Sequence, residues 1–508
     1  MQTNKIALFG LRSALGALLG FSCLEAKTPL IDLVKNASLD GFVFGRFTQD
    51  GGKTGNGNGM QFRIKADLAT GEYKGFSFTA GIFFSQDSGV PSKNRQIWDD
   101  IQGSRGVRMK SQYDVFSFNN LFVKKTFFKS YAQVGEMNLS APFYDKSMDR
   151  GIGASFKSRD LKNFVFDFSA FGSWMADDLY SAGVGYDLNG AKCAGSLANV
   201  GLNQKTGRFD CQGKAIGANA KGSIWGAGIG NALLIGGVGY AKDFGINKKH
   251  QFKASFHDLY AHKLINYMLF AETNYRYQFD EGHGFVNVLF QISATGLNNK
   301  AEFQTNRSQF LSTYFQDKVQ RETMQGHAPQ ELAQNRGVYN FQVSFKKRRF
   351  FAMLGTFGSF AQGYASLIDN VGGLKTAGKL WNGSQGHGSM GFGLIGGGAT
   401  KDTSIYSLYS QLDYRFKNLI FALDMVFIGG KNNFTLWEGD TNLSDLSQYR
   451  GWDPAYRGFR ATKNATFGEI TPSISYKVGN RFTAQLYYAN LFGQVRMYRV
   501  RCQLTYSF

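Results

Sequence analysis

Polar and apolar residues alternate along much of this chain, and the alternation is least interrupted at its end. From Val500 to Phe508 the apolar Val500, Cys502, Leu504, Tyr506 and Phe508 fall on one face of an extended strand. Arg499, Arg501, Gln503, Thr505 and Ser507 fall on the other. The same period recurs upstream. Met60, Phe62, Ile64, Ala66 and Leu68 alternate with Gln61, Arg63, Lys65 and Asp67, and Phe76, Phe78, Ala80, Ile82 and Phe84 form the next apolar row. Phe164, Phe166 and Phe168 alternate with Val165, Asp167 and Ser169; Tyr275, Tyr277 and Phe279 with Asn274, Arg276 and Gln278. Tyr339, Phe341, Val343 and Phe345 alternate with Asn340, Gln342, Ser344 and Lys346. One such segment also fits the half-buried strand of a soluble sheet. Many in succession predict an all-β protein.

The connections sort into two kinds. Short turns are expected at residues 70–74, 128–130, 160–162, 243–249, 280–282, 347–349, 416–417 and 479–480. Between them fall longer connections at 87–112, 139–149, 173–228, 296–336, 361–401 and 430–465, with brief ones at 51–59, 261–263 and 491–493. Short turns on one rim and long loops on the other define a transmembrane antiparallel β-barrel, the short side periplasmic. The tally is about 16–18 strands, an even number that puts both termini in the periplasm. No water in hydrocarbon satisfies an open edge, so the first and last strands must pair. A barrel of this size leaves an aqueous channel unless plugged. Strands begin by about Leu39, which leaves no room for an N-terminal plug domain.

Composition fits this reading. Phe occurs 48 times, Tyr 24 and Gly 63, but Pro only 6, as long strands with aromatic girdles require. Beyond the N-terminus no apolar run reaches the length of a membrane helix. Lys5, the apolar stretch 6–21 and Leu24-Glu25-Ala26 read as a secretory signal over residues 1–26, leaving 27–508 as the barrel. Net charge is +20, and loss of Lys5, Arg12 and Glu25 leaves +19. The basic residues are dispersed, with one run at Lys346-Lys347-Arg348-Arg349 in an expected turn. Spread charge of this kind suits lipid phosphates, lipopolysaccharide or anionic solutes and argues against nucleic acid. Cys193 and Cys211 flank a Gly/Asn/Lys-rich segment without alternation, and export makes them the natural disulfide pair. Neither has the spacing of a metal site, and no cofactor motif is present.

Charged side chains should point into the lumen, because lipid-facing ones cost about 2–4 kcal/mol at the midplane. Register places Arg63, Lys65, Lys157, Lys253, Arg276, Lys346, Arg415, Lys477, Arg481, Arg499 and Arg501 inward, with fewer acids: Asp67, Asp167, Glu272, Asp413 and Asp424. The constriction candidate is the connection 139–149, following Val134-Gly135-Glu136 and containing Pro142 and Asp145, then Asp149-Arg150. Its rival reading is an ordinary surface loop. Gly135, Pro142, Asp149 and Arg150 resemble the entry to the inward third loop of the OprD-type and epsilonproteobacterial major porins. Over its whole length, with its Asn/Gly-rich loops and Tyr-Ser-Phe end, the chain is similar to the Helicobacter outer-membrane (Hof-type) family. The C-terminal Phe resembles the signal that the barrel-assembly machinery reads. These resemblances imply a porin-like channel for passive diffusion of small hydrophilic solutes or ions.

The alternative is a surface adhesin whose long loops, with Trp381, Trp437 and Trp452, bind a host partner. An enzyme finds little support. His257 and Ser255 fall on the lumen side, and no GxSxG, HExxH or phosphate loop stands in a strand–helix context. Nothing in the chain decides between a monomer and a homo-oligomer.

Overall fold

The computed structural model describes residues 33, 36–51, 57–89, 107–108, 114–139, 141–143, 149–175, 185–186, 192–193, 200–203, 208–211, 215–216, 232–261, 265–279, 283–297, 333–364, 373–381, 401–432 and 464–508. The leader expected at 1–26 lies outside these residues, as do Asp145, Trp437, Trp452 and the side chains of Cys193 and Cys211.

Period-two segments form strands because alternate side chains meet lipid and water. Eighteen long strands follow one another. They are β1 (Ser38–Gly51), β2 (Gly57–Ala69), β3 (Phe76–Gly89), β4 (Asp114–Phe127), β5 (Ser130–Asn138) and β6 (Arg150–Ser158). Next come β7 (Phe164–Met175), β8 (Leu233–Phe244), β9 (His250–Ala261), β10 (Ile265–Phe279), β11 (Gly284–Leu297) and β12 (Asn335–Lys347). The last are β13 (Phe350–Ala361), β14 (Tyr406–Phe416), β15 (Leu419–Gly429), β16 (Phe467–Val478), β17 (Phe482–Gly493) and β18 (Met497–Ser507). Each pairs antiparallel with its chain neighbours, and β1 pairs with β18 to close the ring. At that seam Phe42 stands opposite Ser507 and Arg46 opposite Gln503.

Connections are short at one rim, two residues each at 128–129, 348–349 and 417–418. Phe128, Arg348 and Lys417 open these turns at φ of 51°, 52° and 52°. That left-handed conformation matches a two-residue turn to the twist of its strands. The long connections all leave the opposite rim. The one after β7 contains two small sheets built from 185–186, 192–193 and 215–216 and from 200–203 and 208–211.

The two faces invert the soluble pattern. Phe62, Phe166, Phe168, Phe341, Phe421, Leu504 and Tyr506 are exposed on the outer wall. Gln291, Asn340, Asp424, Thr471, Arg499 and Arg501 are buried on the inner one. Outward aromatics cluster near the short-turn rim, where Phe164 lies 4.9 Å from Tyr240, His250 5.0 Å from Tyr277 and Phe279 5.7 Å from Phe345. A second set, including Tyr406–Phe427 and Tyr488–Tyr498, marks the long-loop rim. Two such belts flanking an apolar band are what a bilayer selects. Asp258 breaks the rule, exposed on the outward row of β9 close to its long-loop end, where the cost of a charge is smallest.

Candidate functional site in the lumen

Four arginines gather on one part of the inner wall. On β18, β1 and β2, adjacent across the seam, Arg46, Arg63, Arg499 and Arg501 lie in one another's field. Several of their neighbours are aromatic or neutral, and Asp50 stands opposite Arg499 across the seam. The Arg46 Nε donates to Gln503 Oε1 at 2.8 Å and its Nη1 to Gln61 Oε1 at 3.1 Å. Arg46 and Arg63 stack on the Phe44 ring at 4.7 and 5.0 Å, Arg63 also approaches Phe83, and Arg501 lies over Tyr487 while its Nε donates to Thr48. Stacking and amide acceptors hold guanidinium groups in place without cancelling their charge. Arg46 was not foreseen. Phe42 and Phe44 share its inward row, and an apolar run Phe42-Val43-Phe44 hides the alternation that would have revealed it.

Next to this arc a polar cluster shapes the entry to the connection 139–149. Lys65 and Asp67, 3.6 Å apart, project from β2 toward β4 and β5. A bulge in β4 breaks the alternation, so that Asn119 and Asn120 both turn inward. Asn119 donates to Asp67, Lys65 donates to Asn138, and the Asn138 N–H donates to Asn120 Oδ1 at 3.0 Å. Gly135 adopts φ +136°, and a Cβ there would stand 2.2 Å from the Leu121 carbonyl oxygen, so only glycine fits this bend. Beyond it Arg150 is buried, 3.4 Å from Glu136, and donates to the Phe118 carbonyl. The Leu139 N–H donates to the Asp149 carbonyl, closing the base of the loop. The loop turns inward: Pro142 is buried, and Phe143, 1% exposed, meets Phe270 of β10 edge-on at 6.4 Å.

A second inward segment comes from the connection between β13 and β14. Residues 373–381 run along the inner wall from β10 to β16. Gln291 Nε2 donates to the Gly373 carbonyl, and the Lys375 N–H donates back to Gln291 Oε1. Asn340 donates to the Lys375 carbonyl, and the Tyr409 hydroxyl donates to Asn340 Oδ1. Lys375 Nζ lies 2.9 Å from Glu272, and Lys379 Nζ 3.6 Å from Asp424. The N–H groups of Lys379, Leu380 and Trp381 all point at the Glu469 carboxylate. Trp381, one of the loop aromatics behind the adhesin alternative, is 1% exposed, edge-on to Phe357 and donating to the Ala377 carbonyl. Alternation could not find this segment, because its contacts run from loop backbone to strand carboxylates.

The other predicted residues fall as follows. Lys253 is exposed on the inward row of β9, and Arg276 stacks on Phe285 at 4.3 Å. Arg415 and Asp413 share the inward row of β14. Arg481 does not stand on the wall. It ends the exposed turn 479–481 at the short-turn rim, one residue before β17 begins. His257 lies 3.7 Å from Asp167 across the inner wall. Lumen-facing charges thus spread around the wall, with four arginines gathered at the seam.

This fold has known counterparts. OccAB1 of Acinetobacter baumannii superposes with a TM-score of 0.54 at 10% identity, over 94% of this chain and 97% of that one. The outer-membrane protein OpdK of Pseudomonas aeruginosa gives 0.53 at 11% over 94% and 99%, and its structure with vanillate 0.51 at 12% over 94% and 99%. The shared feature is the barrel itself. No family model and no curated sequence matches the chain. Barrels of this closed, even-stranded type are structures of the bacterial outer membrane.

Proposed function

We propose that the protein is a water-filled outer-membrane channel for passive diffusion of small hydrophilic solutes, with small anions favoured. The observation that carries this reading is the arginine arc on β18, β1 and β2, placed on a polar inner wall and facing two inward-folded segments. Narrowing brings a solute within reach of wall charges, which is where charge discriminates. Vanillate in the OpdK structure is an aromatic carboxylate. A solute of that class would meet guanidinium groups on the arc of this chain, and Arg is suited to bidentate carboxylate recognition. The roles of Arg63, Lys65, Asp67, Lys253, Glu272, Arg276, Arg415, Asp424, Arg499 and Arg501 as pore-lining groups, and of Pro142, Asp145, Asp149 and Arg150 as a constriction, belong to this proposal. So do the Hof-type kinship, contact with lipopolysaccharide, and reading of the C-terminal strand by the assembly machinery. Planar-bilayer recording of purified protein tests it. Discrete, stable open steps are expected, and a silent barrel refutes the channel.

A further inference from the structure

Four of the carboxylates on the inner wall of β10–β16 are Glu272 on β10, Asp413 on β14, Asp424 on β15 and Glu469 on β16. Asp424 and Glu469 are 2% and 1% exposed. A buried carboxylate needs opposite charge or several donors, and here residues 373–381 supply both. Lys375 faces Glu272 and Lys379 faces Asp424, while Glu469 receives three successive backbone N–H groups, the closest at 2.5 Å, and the Thr471 hydroxyl at 2.7 Å. The Gly378 N–H adds a bond to Asp424 at 3.2 Å. The segment is shaped for its seat. Gly378 bends at φ +94°, where a Cβ would stand 2.5 Å from the Trp381 ring, and Trp381 fills the wall beside Phe357.

On a ring of eighteen strands, β10 lies diametrically across from β1. Glu272 therefore sits opposite the arginine arc, while Asp424 on β15 and Glu469 on β16 stand three and two strands from its β18 edge. Without residues 373–381, Glu272, Asp424 and Glu469 would stand uncovered and attract cations along their part of the lumen. With the segment seated, two ammonium groups and four backbone donors cover Glu272, Asp424 and Glu469. We propose that residues 373–381 act as a charge mask that sets the ion preference of the lumen, with Lys375 and Lys379 as its specificity-determining groups and Glu469 as the fastener. This deepens the channel reading and rests on it.

The test reads lumen charge without requiring current. Ala422 is half-buried on the inward row of β15, two residues from Asp424. In full-length protein carrying Ala422→Cys, with the native cysteines replaced by Ser, thiol modification by a methanethiosulfonate bearing trimethylammonium is compared with one bearing sulfonate. Lys375→Gln combined with Lys379→Gln should raise the cation-to-anion rate ratio about tenfold, from two charges acting within about 8 Å at about 0.15 M salt. Glu272→Gln should lower it. An unchanged ratio, or both variants moving it the same way, overturns the mask. Hydrogen exchange provides the second arm. The amides of 379–381 should be protected and should lose at least about tenfold protection in Glu469→Gln; exchange at open-loop rates in the parent protein also overturns it. A silent bilayer with a responsive labelling ratio would refute conduction and leave the mask standing. A conducting barrel with an unresponsive ratio would do the reverse.

Discussion

At the scale of single residues, the outer wall sets the sharpest test. Leu504 is 50% exposed on the outward row of β18, and its neighbour Thr505 points inward opposite Thr483. Leu504→Arg should cost up to about 2–4 kcal/mol according to its depth and reduce the folded yield in lipid vesicles, while Thr505→Arg leaves the yield near that of the parent. Equal yields would contradict the register. Gly135→Ala should destabilise the loop entry by roughly 1–3 kcal/mol, from a backbone angle that L-residues avoid and from the clash with the Leu121 carbonyl. A fall in the temperature at which the barrel loses its compact gel mobility would register it. These positions could be read in advance only where parity was intact. The Asn119-Asn120 bulge turns two neighbours to one side, and Phe42 and Phe44 put aromatic rings where polar groups were expected, so alternation missed Arg46.

At the scale of elements, strands and their order were legible because lipid and water impose a strict period of two. The tight turns followed from where that period stopped. The inward course of 373–381 was not legible, because a segment held by backbone N–H groups leaves no pattern in its own side chains. Its trace lies elsewhere, in acids at inward positions of neighbouring strands and in a Trp that solvent would not favour. Turns carry their own chemistry. Asp160 accepts hydrogen bonds from the Ser130 hydroxyl and the Lys129 N–H, in that order of effect, and these hold its carboxyl below the usual range. The contribution of that turn is present above the ordinary carboxylate pKa and is lost as pH falls through the lowered value. Asp160→Asn should therefore flatten the acid limb of the stability–pH profile, measured by thermal unfolding in detergent from about pH 5 downward. A Cys193–Cys211 bridge is expected at this scale too. Mature protein should resist thiol labelling at both positions until reductant is added, and labelling of both without reductant would exclude the bridge.

At the scale of the whole molecule, the arginines gathered at the seam and the cover of residues 373–381 over Glu272, Asp424 and Glu469 both tilt the lumen field toward the basic side. Under a KCl gradient the reversal potential should show a mild anion preference that weakens as salt rises, since screening shortens the reach of each charge. A clear cation preference would mean that the carboxylates, and not the arginines, control passage. The closure of the ring also governs how the molecule comes into being. Arg46 and Gln503, hydrogen-bonded across the seam, are separated by 457 positions in the chain. The outer edge of β1 therefore stays unsatisfied until β18 is in place. Contacts between such distant partners form slowly, and a raw strand edge is a template for pairing with another chain. Of the eighteen strands β1 waits longest for its second partner, so the interval before closure is when this protein is most exposed to aggregation, and a chaperone that shields β1 would act then.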